Sequence, residues 1–269
     1  MKSNTQQETV GSMLRGGGVI GSWCGFASFA NVEAMTLAGF DFLVLDMQHS
    51  EFTQSHFPSM LGAFRDERRP WPIVRAAQND YHLINWLFDQ GVPGVLVPMV
   101  NSPELAKRAV DAAKFPPLGK RSFGPFRAAK YGAGLARYMA MADQAAALII
   151  QIESADAVRD IDAILDVKGI DGVFMGPNDL AYSMLRPGEA IKANPGEWSA
   201  FARTPEVIDL CGHVLKQCKN AGVPFGTTTG SMDEALQWLS RGANFVTYGS
   251  DFFFQRAGYQ HLCAPKAAV

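Results

Sequence analysis

Gly39-Phe-Asp-Phe-Leu-Val-Leu45 is a glycine leading into a short, almost wholly apolar run. The same junction returns three times, as Gly91-Val-Pro-Gly-Val-Leu-Val-Pro98, Gly169-Ile-Asp-Gly-Val-Phe-Met-Gly176 and Gly242-Ala-Asn-Phe-Val-Thr-Tyr-Gly249. Glycine suits the left-handed position just past a helix end. A run that is apolar without alternation is what a parallel strand covered on both faces requires. Each junction therefore marks a helix handing over to a parallel strand, the unit of a βα repeat. Similar runs lie near 19–26, 41–47, 72–76, 94–98, 147–153, 170–176, 224–229 and 244–249. Eight parallel strands in 269 residues favour one closed (β/α)8 TIM barrel of the α/β class over an open doubly wound sheet.

Working outward, the barrel domain takes in residues 1–269, with a short polar N-terminal segment at about 1–10 and a helical C-terminal segment at about 252–269. Two stretches, 116–143 and 186–204, break the pattern with prolines and glycines. Both are expected at the strand C-terminal face, where barrel loops grow long. With 48% apolar and 19% charged residues the chain can bury a substantial core. A net charge of −2 gives no global attraction for nucleic acid or an anionic membrane, and Arg68-Arg69 reads as solvated surface. The first twenty residues lack the apolar core of a secretory signal, and no run of about 18 apolar residues could span a bilayer. The four cysteines show no CxxC spacing; Cys211 and Cys218, seven apart, share a helix face. A cytoplasmic, reduced protein with neither nucleic-acid nor membrane partners is expected.

Catalytic groups of a barrel sit where strands end and loops begin at the C-terminal face. The second strand ends in Asp46-Met-Gln-His49, the third at Arg75, the fifth in Gln151-Ile-Glu153, and the sixth runs into Gly176-Pro177-Asn178-Asp179. Glu153 and Asp179 are hard oxygen donors on neighbouring strands, suited to Mg²⁺ or Mn²⁺, with Co²⁺ a third candidate. No His or Cys cluster offers a zinc site. The plainer reading of Asp179 is a helix cap. A 2-oxo acid chelated by such a cation has a polarised ketone and a more acidic adjacent C–H. Backbone N–H groups at Asn178 and Asp179 open a helix and suit its carboxylate. Arg75 could steady the developing enolate oxygen, or serve only as a rim salt bridge. His49 is the natural general base, with Asp46 or Asp89 as the acid that orients it. No lysine falls at a strand C-terminal end, so a Schiff base is disfavoured. Gly132-x-Gly134 follows no strand and is no nucleotide fingerprint.

These motifs in this order resemble the HpcH/HpaI aldolases, from Gly21-Ser-Trp to about Asp251. The resemblance rests on Leu45-Asp-Met-Gln-His49, Val74-Arg75, Leu96-Val-Pro-Met-Val100, Gln151-Ile-Glu153 and Gly172-Val-Phe-Met-Gly-Pro-Asn-Asp-Leu180. It implies a metal-dependent enzyme cleaving or forming 4-hydroxy-2-oxo acids through a pyruvate enolate. His49 would be the proton acceptor and Arg75 the transition-state stabiliser, with Glu153 and Asp179 as metal ligands. Gln151 and the Gly176-Pro177-Asn178-Asp179 run would bind the 2-oxo acid. Asp89 matches an acid that raises the basicity of the histidine, and Asp46 one beside it. Gln48 departs from the glutamate of many members and so removes a negative charge next to the base. Members are commonly hexamers with a C-terminal helix packed on a neighbour, so a homo-oligomer is expected and Phe252-Phe-Phe254 is compatible with it.

The expected partners are a 2-oxo acid and an aldehyde, and Arg121-Ser-Phe-Gly-Pro-Phe-Arg127 is a candidate for selecting the aldehyde or for a subunit contact. The competing enzyme class is oxaloacetate decarboxylation, or another capture of the same enolate. A barrel that only binds a 2-oxo acid is the third reading.

Overall fold

The glycine junctions all lie in the turns that follow helices. Gly39, Gly91, Gly169 and Gly242 have φ of +89°, +86°, +104° and +97°, a region that disfavours every side chain with a Cβ. The structure, a computed structural model, describes residues 8–64, 70–185 and 200–263. Its eight strands are β1 Val19–Cys24, β2 Phe42–Asp46, β3 Trp71–Arg75, β4 Gly94–Val97, β5 Ala147–Ile152, β6 Gly172–Met175, β7 Phe225–Thr229 and β8 Phe245–Ser250. Each pairs in parallel with its sequence neighbour, and β8 returns to β1, closing a (β/α)8 barrel of one domain.

Strand alternation divides the side chains into an inner and an outer set. Phe42, Val44, Ile73, Leu96, Ala147, Ile149, Phe174 and Phe245 fill the barrel interior. Two glycines make this filling possible: a Cβ at Gly21 or Gly226 would lie 2.4 Å from the ring of Phe42 or Phe245. The outward set, including Leu43, Leu45, Val74, Val95, Leu148 and Ile150, meets the surrounding helices in a second buried cluster. No helix among the described residues is long and apolar enough to cross a membrane.

A helix, Val10–Gly16, begins where the polar N-terminal segment of about 1–10 ends and closes the N-terminal mouth of the barrel. Thr9 caps it reciprocally with Ser12, and Val10, Met13 and Leu14 are buried in the inner cluster. Their spacing at i, i+3 and i+4 is an apolar stripe that a count of polar residues hides.

One expectation needs correction, the placing of 116–143 at the strand C-terminal face. The helix Pro103–Ala113 leaves the top of β4 and runs back down the barrel, so the stretch after it lies at the strand N-terminal end. Contacts agree: Arg127 Nη1 donates to Gln90 O at 2.6 Å, and Ala128 N to Asp89 O at 3.0 Å, just ahead of β4. Lys114 Nζ, the one deeply buried lysine among the described residues, donates to Ala146 O at 2.8 Å and Asp171 Oδ2 at 2.7 Å, just ahead of β5 and β6. Within one chain the Arg121–Arg127 stretch therefore stands at the far end from the strand C-termini. Of the 186–204 stretch, residues 186–199 lie outside the described residues; Ala200–Arg203 is held at the C-terminal face, where Arg203 Nε donates to Glu234 Oε2 at 2.9 Å. The C-terminal helix is Asp251–Cys263, and 264–269 lie outside the described residues.

Candidate active site

The apolar filling stops short of the strand C-terminal ends, and polar side chains take the last inward positions. On β2 and β3 the inward series Phe42, Val44, Asp46 runs beside Ile73 and Arg75, and Asp46 stands in register with Arg75. Neighbouring inward groups in register must meet. Arg75 Nε donates to Asp46 Oδ1 at 2.8 Å and Nη2 to Oδ2 at 2.6 Å, a two-point pair. Both side chains are largely buried, and the pair uses two of the five guanidinium N–H groups, which leaves three for other acceptors.

On β5 the inward series Ala147, Ile149, Gln151 continues into Glu153 just beyond the strand. Glu153 is 2% exposed. Its Oε1 accepts from Met99 N at 2.7 Å and its Oε2 from Gln151 Nε2 at 2.5 Å. Met99 delivers that N–H from a left-handed backbone, φ +55°, a strained conformation for a side-chain-bearing residue. Burial is the largest influence on Glu153, and the Asp179 carboxylate adds to it. Against the lowering effects of Met99 N–H and Arg75, they push the Glu153 carboxyl up to about 7.

Asp179 sits in the first turn of the short helix Pro177–Ser183, whose N-cap is Gly176 without a side-chain cap bond. The capping reading of Asp179 therefore fails. The N–H groups of Asn178 and Asp179 lie in that first turn, where an α-helix offers donors no intrahelical partner. Gln151 Oε1 is buried with no partner. Two approaching carboxylates, one of them resisting ionisation, beside an unsatisfied amide oxygen form an all-oxygen set that a hard divalent cation would neutralise. The residues fit a hard divalent cation; among the described residues only two acidic side chains approach the place, so water or ligand oxygens must complete the shell.

Within the one chain described, neither acid expected to orient His49 hydrogen-bonds it. His49 is exposed, three residues past β2, and makes no hydrogen bond among the described residues. Asp46 points into the barrel, where its oxygens serve Arg75 and, at 2.9 Å, Gln48 N. Asp89 ends the helix Tyr81–Asp89, which has run the length of the barrel, and lies five residues ahead of β4. It accepts from Arg121 Nη2 at 2.6 Å, while burial raises its pKa. In one chain Asp89 and His49 stand at opposite ends, roughly 15 Å apart by strand length alone. Gln48, the departure noted in the sequence, has its Oε1 buried and unpartnered. Two residues of the site stand in the quoted motifs, but the motifs assign neither of them a role. Met99 contributes only a backbone N–H, and Trp23 contributes the indole over which Arg75 stacks.

Known proteins share this arrangement of chain. Residues 20–256 match the model of the HpcH/HpaI aldolase/citrate lyase family. The chain is 35% identical over 249 residues to a pyruvate aldolase of Rhizobium etli, covering 91% of each chain. It is 34% identical over 243 residues to a 5-keto-4-deoxy-D-glucarate aldolase of Salmonella arizonae, covering 90% of each. Among solved structures, an HpcH/HpaI aldolase/citrate lyase family protein from Burkholderia cenocepacia superposes with a TM-score of 0.82 at 30% identity, over 95% of this chain and 98% of that one.

Proposed function

The chain belongs to the HpcH/HpaI aldolase/citrate lyase family, and on that premise we propose that it is a divalent-metal-dependent aldolase. It reversibly cleaves a 4-hydroxy-2-oxo acid to pyruvate, or a similar 2-oxo acid, and an aldehyde. One observation carries the reading: a buried carboxylate, Glu153, raised towards neutrality beside Asp179, at the rim that also holds the paired Arg75.

Glu153 and Asp179 would hold the cation, which when bound supplies Lewis acidity to the 2-oxo group. The first-turn N–H groups of Asn178 and Asp179, following Gly176-Pro177, receive the substrate carboxylate. Gln151, fixed through its Nε2, presents Oε1 to the same space. His49 takes the proton of the C4 hydroxyl as the C3–C4 bond breaks. The aldehyde leaves, and the bonding electrons remain as the enolate of the 2-oxo acid. Arg75, held by Asp46, donates its remaining N–H groups to the enolate oxygen; a preorganised donor of this kind is worth about 3–4 kcal/mol. The imidazolium then returns the proton to C3, giving pyruvate and the starting state of His49.

The test is solvent deuterium exchange into the methyl group of pyruvate, followed by NMR on chelator-stripped protein with and without Mn²⁺ or Mg²⁺. Exchange that depends on the metal supports enolate formation; no exchange in either condition retires the proposal. An aldehyde and sugar-acid screen comes next. It starts with 5-keto-4-deoxy-D-glucarate, the compound in the name of a 34% identical relative.

A further inference from the structure

Trp23 takes no step in the reaction above, yet it is the surface on which Arg75 rests. The Arg75 guanidinium carbon lies 4.4 Å from the centre of the indole ring. The indole is itself fixed on two sides. Its Nε1 donates to Thr247 Oγ1 at 2.9 Å and reaches Thr228 Oγ1 at 3.4 Å. The Phe174 ring stands edge-on to it at 5.8 Å. Thr247 is fully buried, so water does not compete for its hydroxyl.

The two contacts on Arg75 differ in direction. Asp46 grips one edge of the guanidinium within its plane, through Nε and Nη2. A planar fork held along one edge can still swing about that edge. An indole whose centre lies 4.4 Å from the guanidinium carbon obstructs that swing and adds cation–π attraction, strongest where water is excluded. Together they leave one orientation for the three free N–H groups.

We propose that Trp23 is a positioning residue for Arg75. The indole, anchored by Thr247, fixes the tilt of the guanidinium, and with it the aim of its donors at the enolate oxygen. This rests on the reading of Arg75 given above. A group displaced by about 1 Å from its productive place can lose about 100-fold in rate. Trp23 acts only through the transition state and not through binding of the 2-oxo acid.

The experiment compares the full-length protein with Trp23→Leu, Trp23→Phe, Arg75→Lys and the double variant Trp23→Leu/Arg75→Lys. Pyruvate exchange with Mn²⁺ gives kcat and KM separately, and crystals of the metal-free single variants show the Arg75 side chain. Trp23→Leu is expected to lower kcat by about 10- to 100-fold with KM changed less than about threefold. Trp23→Phe, which keeps a ring face, recovers most of the loss. In the Arg75→Lys background Trp23→Leu costs less than about twofold, since the geometry it protects is already gone. The metal-free crystal of Trp23→Leu shows the guanidinium tilted away from its wild-type plane. An unchanged kcat in Trp23→Leu, the same loss in both backgrounds, or an unmoved guanidinium overturns the proposal. Should Trp23→Leu not fold, Thr247→Val crossed with Arg75→Lys decides it by the same non-additivity. Absence of exchange in the wild type retires the aldolase reading instead, and the crystals still decide whether Trp23 places Arg75.

Discussion

At Gly176 the backbone has φ −102°, which any residue can adopt, so glycine is needed there for space rather than conformation. A Cβ would lie 2.8 Å from both Cβ and Oε2 of Glu153 and 2.9 Å from Gln151 Nε2. Gly176→Ala is expected to cost about 1–3 kcal/mol of stability, as overpacking does. It should also weaken Mn²⁺ binding by displacing a ligand; calorimetric titration and a thermal melt measure the two, and wild-type affinity would mean that Glu153 moves freely. The candidate base gives a second test. His49→Ala should bind pyruvate normally and lose exchange by about 10²- to 10⁴-fold; exchange at the wild-type rate would remove His49 from the mechanism. At this scale the sequence named the polar residues of the rim because strand ends can be counted. It did not name their partners. Asp46 faces Arg75 instead of His49 because two inward positions in register decide the matter, and register is absent from a single strand's sequence.

Among the elements, the helix Val10–Gly16 bears most directly on stability. Leu14 is fully buried, and a Cβ at Gly172 on β6 would come within 3.4 Å of it. Leu14→Ala is expected to cost about 2–5 kcal/mol, read from urea unfolding, with no change in KM, since the helix closes the end away from the rim. A cost under about 1 kcal/mol would show that the barrel floor does not depend on this helix. The strands were legible as elements to within about two residues, because apolar runs and glycine junctions carry a strong local signal. The insertion after Ala113 was legible only in part. Its prolines and glycines mark a long loop, but which end of the barrel a loop occupies depends on where the preceding helix stops.

For the molecule as a whole, the buried Glu153 sets a pH dependence. A carboxyl that titrates at about 7 when folded and at 4.5 otherwise binds its proton more tightly in the native state. Its contribution is therefore fully present below 4.5 and lost as pH rises through about 7, up to about 3 kcal/mol. Chelator-stripped protein should lose stability between pH 5 and 8 in urea titrations, and Glu153→Gln should flatten that slope; equal slopes in the two proteins would discount Glu153 as the source. On the proposed reading, bound metal should reverse the effect. Mn²⁺ at about 100 times its dissociation constant should restore about 2.7 kcal/mol at pH 8, and less at pH 5, where protons compete. What the sequence determined by itself is the repeat, hence the parallel barrel, and the set of polar groups at the strand ends, because both arise from local periodicity and chain order. What only the tertiary structure decided is which of those groups touch. The in-plane grip of Asp46, the indole under Arg75, the strained N–H of Met99 on Glu153 and the removal of Asp89 to the far end all arise from closure of the sheet, which brings together residues far apart in the chain.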